Sequence, residues 1–213
     1  MHTFLNKYDS KDLSIYALAL FNVSLLTFRV SVTESLYFGF LIWNLILSGI
    51  PFLITYSINA NQQVFQKKNY LYAISLLWLL FLPNAPYLIT DFLHFKRESN
   101  MPSWFDLLLL MSFSWSGIMF GMLSIREMQR IWTKSFNTKI SWIFIFSCCL
   151  LSGFGIYIGR YLRYNSWDII TNPFDLISDM FFEFITLKAI GFSIGYGIFF
   201  FLSYSFFKIN TQK

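Results

Sequence analysis

The chain reads as an all-α membrane protein: a polytopic helix bundle of about six transmembrane helices, one span broken by prolines, with one interfacial amphipathic helix. Three observations predict this. Of 213 residues, 56% are hydrophobic and 22% aromatic, while only 13% are charged, against about a quarter charged in an ordinary soluble domain. Apolar runs long enough to cross about 30 Å of hydrocarbon, roughly 17 to 25 residues, recur along the chain. One of those runs carries "FLPNAPYLITDFLHF", with two prolines, an asparagine, an aspartate and a histidine inside apolar sequence.

The expected spans are Leu13–Phe28, Ser35–Ser57, Tyr70–Phe95, Trp104–Ile125, Ile140–Tyr161 and Ala189–Phe207. They leave little chain for a soluble domain, so residues 1–213 are read as one integral membrane domain. The first span is the least hydrophobic because of Asn22, and nothing before it looks like a cleaved signal peptide, so it is read as retained. Cys148 and Cys149 are adjacent and mid-span, where small buried residues are expected rather than a disulfide framework.

The third span is the irregular one. Thirteen residues from Tyr70 to Leu82 make about 20 Å of helix, so the break at Pro83–Pro86 falls inside the hydrocarbon layer. The prolines remove the hydrogen bonds to the carbonyls of Leu79 and Leu82. Two readings are open. Asn84 caps a second half-helix whose amide-rich start points into the bundle, or the run is a kink whose loosened carbonyls are met by Asn84 and Asn44.

Fourth, fifth and sixth spans each hold a Gly-x-x-x-Gly pair, Gly117/Gly121, Gly155/Gly159 and Gly191/Gly195. Small residues one turn apart let membrane helices approach closely, within one chain or between copies of a homo-oligomer. After the fifth span, Asn172-Pro173 starts a helix over residues 173–188. Its Asp175, Asp179 and Glu183 form an acidic stripe, with Ile177, Met180, Phe181 and Phe184 facing away. It is expected along the outer interface, its acidic stripe solvated, receiving a basic partner or collecting cations.

Six spans put both termini on one side together with Lys67, Lys68, Arg126, Arg130, Lys134 and Lys139, a side of net charge +7 against −2 for the other. Cationic loops stay cytoplasmic, so both termini are expected inside, at a bacterial inner membrane. The overall charge of +5 therefore calls for no nucleic-acid partner; membrane lipids are the expected surroundings.

The polar residues then gather on the outer side. Asp91 and His94 share a helix face, Asp106 starts the next span a short loop away, and Arg160 and Arg163 stand one turn apart before Asn165, Ser166, Trp167 and Asp168. Asp91, His94 and Asp106 are acceptable metal ligands or a minimal acid-base group, and equally an ordinary polar tie between helices. The arginine pair suits a phosphate or carboxylate, and suits Asp91, Asp106 or Asp168 just as well. The candidate site is therefore Asn84, Asp91, His94, Asp106, Arg160, Arg163, Asn165, Trp167 and Asp168. No nucleotide, haem or flavin motif and no serine nucleophile elbow is visible, so no cofactor is expected and the reaction, if any, stays open.

"WNLILSGIPF" at Trp43–Phe52, "WLLFLPNAPYLITDFLHF" at Trp78–Phe95 and "GIYIGRYLRYNSWDIITNP" at Gly155–Pro173 resemble the bacterial multi-pass membrane proteins grouped as domain of unknown function 1361. The matching positions include Trp43, Asn44, Pro51, Pro83, Pro86, Tyr87, Gly159 and Pro173 besides most of the candidate site. The resemblance implies a bacterial membrane location and carries no activity with it. Three function classes follow: binding of a lipid headgroup or other anionic amphiphile, a non-catalytic structural or interaction subunit, and a small-solute transporter. Transport is the weakest, because charged residues are nearly absent at depth and only Asn22, Asn44 and Asn84 are strongly polar there.

Overall fold

A computed structural model describes residues 10–60, 68–95, 101–164, 166, 168–184 and 186–211. The described residues are helical with no strand, and six helical segments are long and apolar enough to cross a membrane. The elements run α1 (Ser10–Thr33), α2 (Phe40–Ala60), α3 (Lys68–Phe81), α4 (Asn84–Tyr87), a 3₁₀ helix (Leu88–His94), α5 (Ser103–Ser135), α6 (Thr138–Tyr157) with a π turn (Ile158–Leu162), α7 (Asp168–Thr171), α8 (Pro173–Phe184) and α9 (Leu187–Thr211).

Helix α5 is the centre of the bundle and the most enclosed span. Its 33 residues make about 50 Å of helix, longer than the hydrocarbon layer. The sequence reading ended this span at Ile125; the helix instead runs ten residues further because Met128, Gln129 and Trp132 keep a buried face there. Only Phe136 and Asn137 then separate it from α6, which Asn137 caps by accepting from the Ile140 amide at 2.8 Å. At this end Gln129 Oε1 accepts from the Tyr204 hydroxyl at 2.6 Å and from Lys208 Nζ at 2.5 Å, tying α5 to α9.

Several buried polar groups along α5 pair with neighbours. Asn22 donates to Ser116 at 2.6 Å and accepts from Ser112 at 2.5 Å, and Trp78 Nε1 donates to Ser124 at 2.6 Å. The cysteines are free and buried in an aromatic core with Trp78, Trp132 and Tyr204.

The glycine pairs of α5 and α6 have one shared role: they receive the broken third span. A Cβ on Gly117 would lie 2.6 Å from the Ala85 carbonyl oxygen, and one on Gly155 would lie 2.5 Å from Pro83 Cγ. Both positions therefore require glycine for close approach. The expectation that α9 packs through Gly191 and Gly195 does not hold within the chain, since a Cβ at either meets nothing within 4 Å. Gly153 of α6 against the Ser193 carbonyl, and Gly197 of α9 against Leu150, make that contact instead.

Candidate functional site

The site starts from the proline break. Helix α3 stops at Phe81, and the chain stays right-handed through Pro83 (φ −58°, ψ −27°) into the short α4 and the seven-residue 3₁₀ helix. The Leu82 carbonyl is taken by the Ala85 amide at 3.1 Å and the Pro83 carbonyl by the Tyr87 amide at 3.0 Å. No capping bond comes from Asn84, so the half-helix with an open, amide-rich start is not formed. Asn84 works in the opposite sense: its amide nitrogen donates to the Phe81 carbonyl at 2.9 Å and to the Ser166 hydroxyl at 3.1 Å.

Further carbonyls loosened along this segment are met by side chains, as a low-dielectric surround demands. Ser166 donates to Leu80 at 3.2 Å, Thr90 to Tyr87 at 2.7 Å, and Ser114 to Leu88 at 2.7 Å. Asn44, expected to cover a carbonyl, is instead turned to Asp91.

In the 3₁₀ helix residues three apart eclipse one another, so Asp91 and His94 stand on one line. Opposite them, the π turn ending α6 swings Arg160 inward, and Arg163 closes that turn in the left-handed region at φ 62°. Arg160 Nη1 lies 3.5 Å from Asp91 Oδ1, 3.1 Å from His94 Nε2 and 3.4 Å from the Tyr87 hydroxyl oxygen; Nη2 donates to the Thr90 carbonyl. Asp91 Oδ2 accepts from Asn44 at 2.9 Å, whereas Oδ1 accepts no hydrogen bond and holds only the ion pair.

Asp106 is elsewhere. It is buried in a two-pronged pair with Arg29 of α1, Nε to Oδ1 at 2.7 Å and Nη2 to Oδ2 at 3.3 Å. Asp91, His94 and Asp106 thus do not form a metal-binding group, and no such group of three or more acidic, histidine or cysteine residues occurs among the described residues. Asp168 opens α7 and accepts from Thr171 at 3.0 Å, a local turn contact, while Arg163 is exposed. Asn165 and Trp167 lie outside the described residues.

Beside the Arg160 cluster is a cavity of 290 Å³, walled by α2, the broken third span, α6 and α8. Leu47, Leu79, Leu151, Phe154, Leu176 and Met180 supply apolar wall, and Asn44, Asn84, Tyr87, Tyr164 and Ser166 gather polar groups around it. Helix α8 closes one side by turning its mixed face inward, because residues 176, 179, 180 and 183 share a face. The acidic stripe is therefore not simply solvated: Tyr164 donates to Asp179 at 2.9 Å and Tyr157 to Glu183 at 2.8 Å. The bond to Asp179 pushes the Tyr164 phenol up from its ordinary value, with smaller contributions from desolvation and nearby carboxylates. The opposite face, Phe174, Ile177 and Phe181, is exposed, as an interfacial helix needs.

Sequence reasoning missed Arg29, the two tyrosine latches and the cavity. Arg29 had a signal: an arginine at the end of a span requires an acid or water, and Asp106 begins a span on the same side. The cavity had none, because it arises from how four separate segments pack.

No curated protein and no solved structure matches the chain. The strings that form the break, its α2 partner and the Arg160 turn all fall within residues 43–203, where a family model matches. On that match the chain belongs to the family described as Protein of unknown function (DUF1361).

Proposed function

We propose that this protein binds an amphiphilic membrane molecule, its apolar chain in the 290 Å³ cavity and its polar end among Asn44, Asn84 and Tyr87. The observation that carries the reading is the make-up of that cavity: apolar walls, a few convergent polar groups, and a position beside a buried ion pair at the end of the spans. Its volume lies just below the roughly 300–1,000 Å³ range of ligand pockets, so it holds part of one chain and has no room for a second. Arg160 keeps Tyr87 and the 3₁₀ helix in place, and α8, latched by two tyrosines, forms the wall on the membrane side. The Lys/Arg asymmetry supports a bacterial inner-membrane orientation with both termini in the cytoplasm, which directs this site to the outer face.

Solvent extraction and mass spectrometry of the purified protein test the reading. About one long-chain amphiphile should be recovered per protein. Met180→Trp, which fills the cavity from α8, should lose it without loss of fold. A wild-type protein free of bound amphiphile, and unable to take one up from mixed vesicles, contradicts the proposal.

A second reading is a structural subunit without ligand. It is favoured by the mutual satisfaction of Arg160, Asp91, His94 and Asn44, which ties α2, the third span and α6 together. The same Met180→Trp variant separates the two, because stitching of helices does not depend on an open cavity.

A further inference from the structure

The hydrogen bonds around the cavity restrict the chemistry of the head it receives. Asn84 commits both N–H bonds, to Phe81 and Ser166, and Asn44 gives its amide nitrogen to Asp91. Each residue keeps an Oδ1 that accepts from no protein donor among the described residues. Ser166 is satisfied by donating to Leu80 and accepting from Asn84, and Tyr164 donates to Asp179. Tyr87 accepts from Arg160 on its oxygen, which leaves its hydroxyl hydrogen to give. Among the described lining residues, two acceptors and one donor are thus left uncommitted.

The described residues of the wall offer no charge. No Lys, Arg, Asp or Glu is among the described residues lining the cavity. Arg160, the cation nearest in sequence to the lining glycine Gly159, is 11% exposed and spends its guanidinium on Asp91, His94, Tyr87 and Thr90. A phosphate or carboxylate would bring acceptors to two carbonyl oxygens with no cation in the wall, and burying an unpaired charge is costly. A hydroxyl group both donates and accepts, which matches this wall.

Resting on the amphiphile reading above, we infer that the ligand is an uncharged single-chain amphiphile with a hydroxyl-bearing head, of the kind a monoacylglycerol presents. Its hydroxyls donate to the Asn44 and Asn84 oxygens and one accepts from Tyr87, while the chain runs along Leu47, Leu151 and Phe154 toward Met180. The sequence alone pointed to an anionic or amphipathic molecule whose anion Arg160 and Arg163 would hold; Arg160 is instead committed to Asp91, and Arg163 is exposed and does not line the cavity.

Native mass spectrometry of the detergent-purified protein, titrated with 1-monoolein, methyl oleate and oleyl phosphate, tests the inference. The three share a chain and differ in head: hydroxyls, no donor, and an anion. Half-saturation with 1-monoolein should come at least about tenfold below the other two, because a site built for hydroxyls leaves its polar groups unpaired with the wrong head. Asn84→Leu should shrink the preference over methyl oleate to about twofold or less. Tyr87→Phe keeps the ring beside Arg160 and removes only the hydroxyl, so a reduced preference there reads the head contact even where Asn84→Leu lowers stability. Oleyl phosphate binding as tightly as 1-monoolein overturns the uncharged head and leaves the amphiphile site standing. Equal binding of methyl oleate shows that the head is not read. Binding of none of the three overturns both the inference and the reading beneath it.

Discussion

Two arginine–aspartate pairs are buried near the same end of the bundle, and they differ in almost everything but chemistry. Arg29 and Asp106 join α1 to α5 through two short contacts, 2.7 and 3.3 Å, with 4% and 1% exposure, and the guanidinium lies 4.5 Å from the Phe38 ring centre. Arg160 and Asp91 touch once, at 3.5 Å, and the guanidinium divides itself among a histidine, a tyrosine oxygen and a backbone carbonyl beside a cavity. The first geometry is a closed fastening between two helices. The second is looser and holds an irregular segment in shape, which is what a wall of a binding pocket needs.

Breaking the closed pair should give the largest effect. Asp106→Asn leaves Arg29 charged and enclosed, so unfolding stability should fall by about 3–5 kcal/mol. Replacing both partners, Arg29→Met with Asp106→Leu, should recover most of that loss, since an apolar pair of similar volume leaves no unpaired charge. Denaturant titration of the purified single and double variants checks both. A double variant as unstable as Asp106→Asn would mean that the pair contributes more than charge compensation.

Asp91→Asn should cost less, about 1–3 kcal/mol, because Arg160 retains His94, Tyr87 and Thr90 and lies partly open. The same titration checks it, and a loss equal to that of Asp106→Asn would erase the distinction between the pairs. Smaller again is Tyr157→Phe, which removes the bond to Glu183 at 2.8 Å and should cost about 1 kcal/mol. Its visible consequence should be faster hydrogen exchange confined to α8, the wall that bond latches.

Orientation carries no energetic cost in these variants but decides which compartment the looser pair faces. Single cysteines at Lys134 and at Ser99, in a background lacking Cys148 and Cys149, should be labelled from opposite sides of the membrane. Ser99→Cys should react with an impermeant reagent added outside. Reaction only after permeabilisation would turn the cavity to the cytoplasm.

Much of this architecture was legible because membrane spans obey length and hydropathy, and because prolines at 83 and 86 break helices wherever they fall. The neighbourhood of Asp91 and Arg160 was legible from cost: a carboxylate near hydrocarbon needs a cation, and few were near. The same argument applied to Asp106 went to the wrong partners, since Arg29 belongs to the first span, 77 positions away. Two readings were open for Asn84, a half-helix cap and a cover for a loosened carbonyl. The second is the one formed: the chain stays helical through Pro83, and the side chain turns back to the carbonyl of Phe81. The acidic stripe of α8 is exposed at Asp175 and Asp179, as the sequence suggested, but a helical wheel does not show the tyrosines brought against it, Tyr157 of α6 at Glu183 and Tyr164 beyond the π turn at Asp179.

The central claim, that the looser pair borders a working cavity, is tested most directly by ligand-induced stabilisation. Thermal unfolding of the detergent-purified wild type and Met180→Trp should be followed with and without 1-monoolein. A ligand that binds only the folded state at a hundred times its Kd adds about 2.7 kcal/mol, enough to move the midpoint by several degrees. The wild type should show that rise and Met180→Trp, with the cavity filled, should show none. An equal rise in both, or no rise in the wild type, would contradict the account.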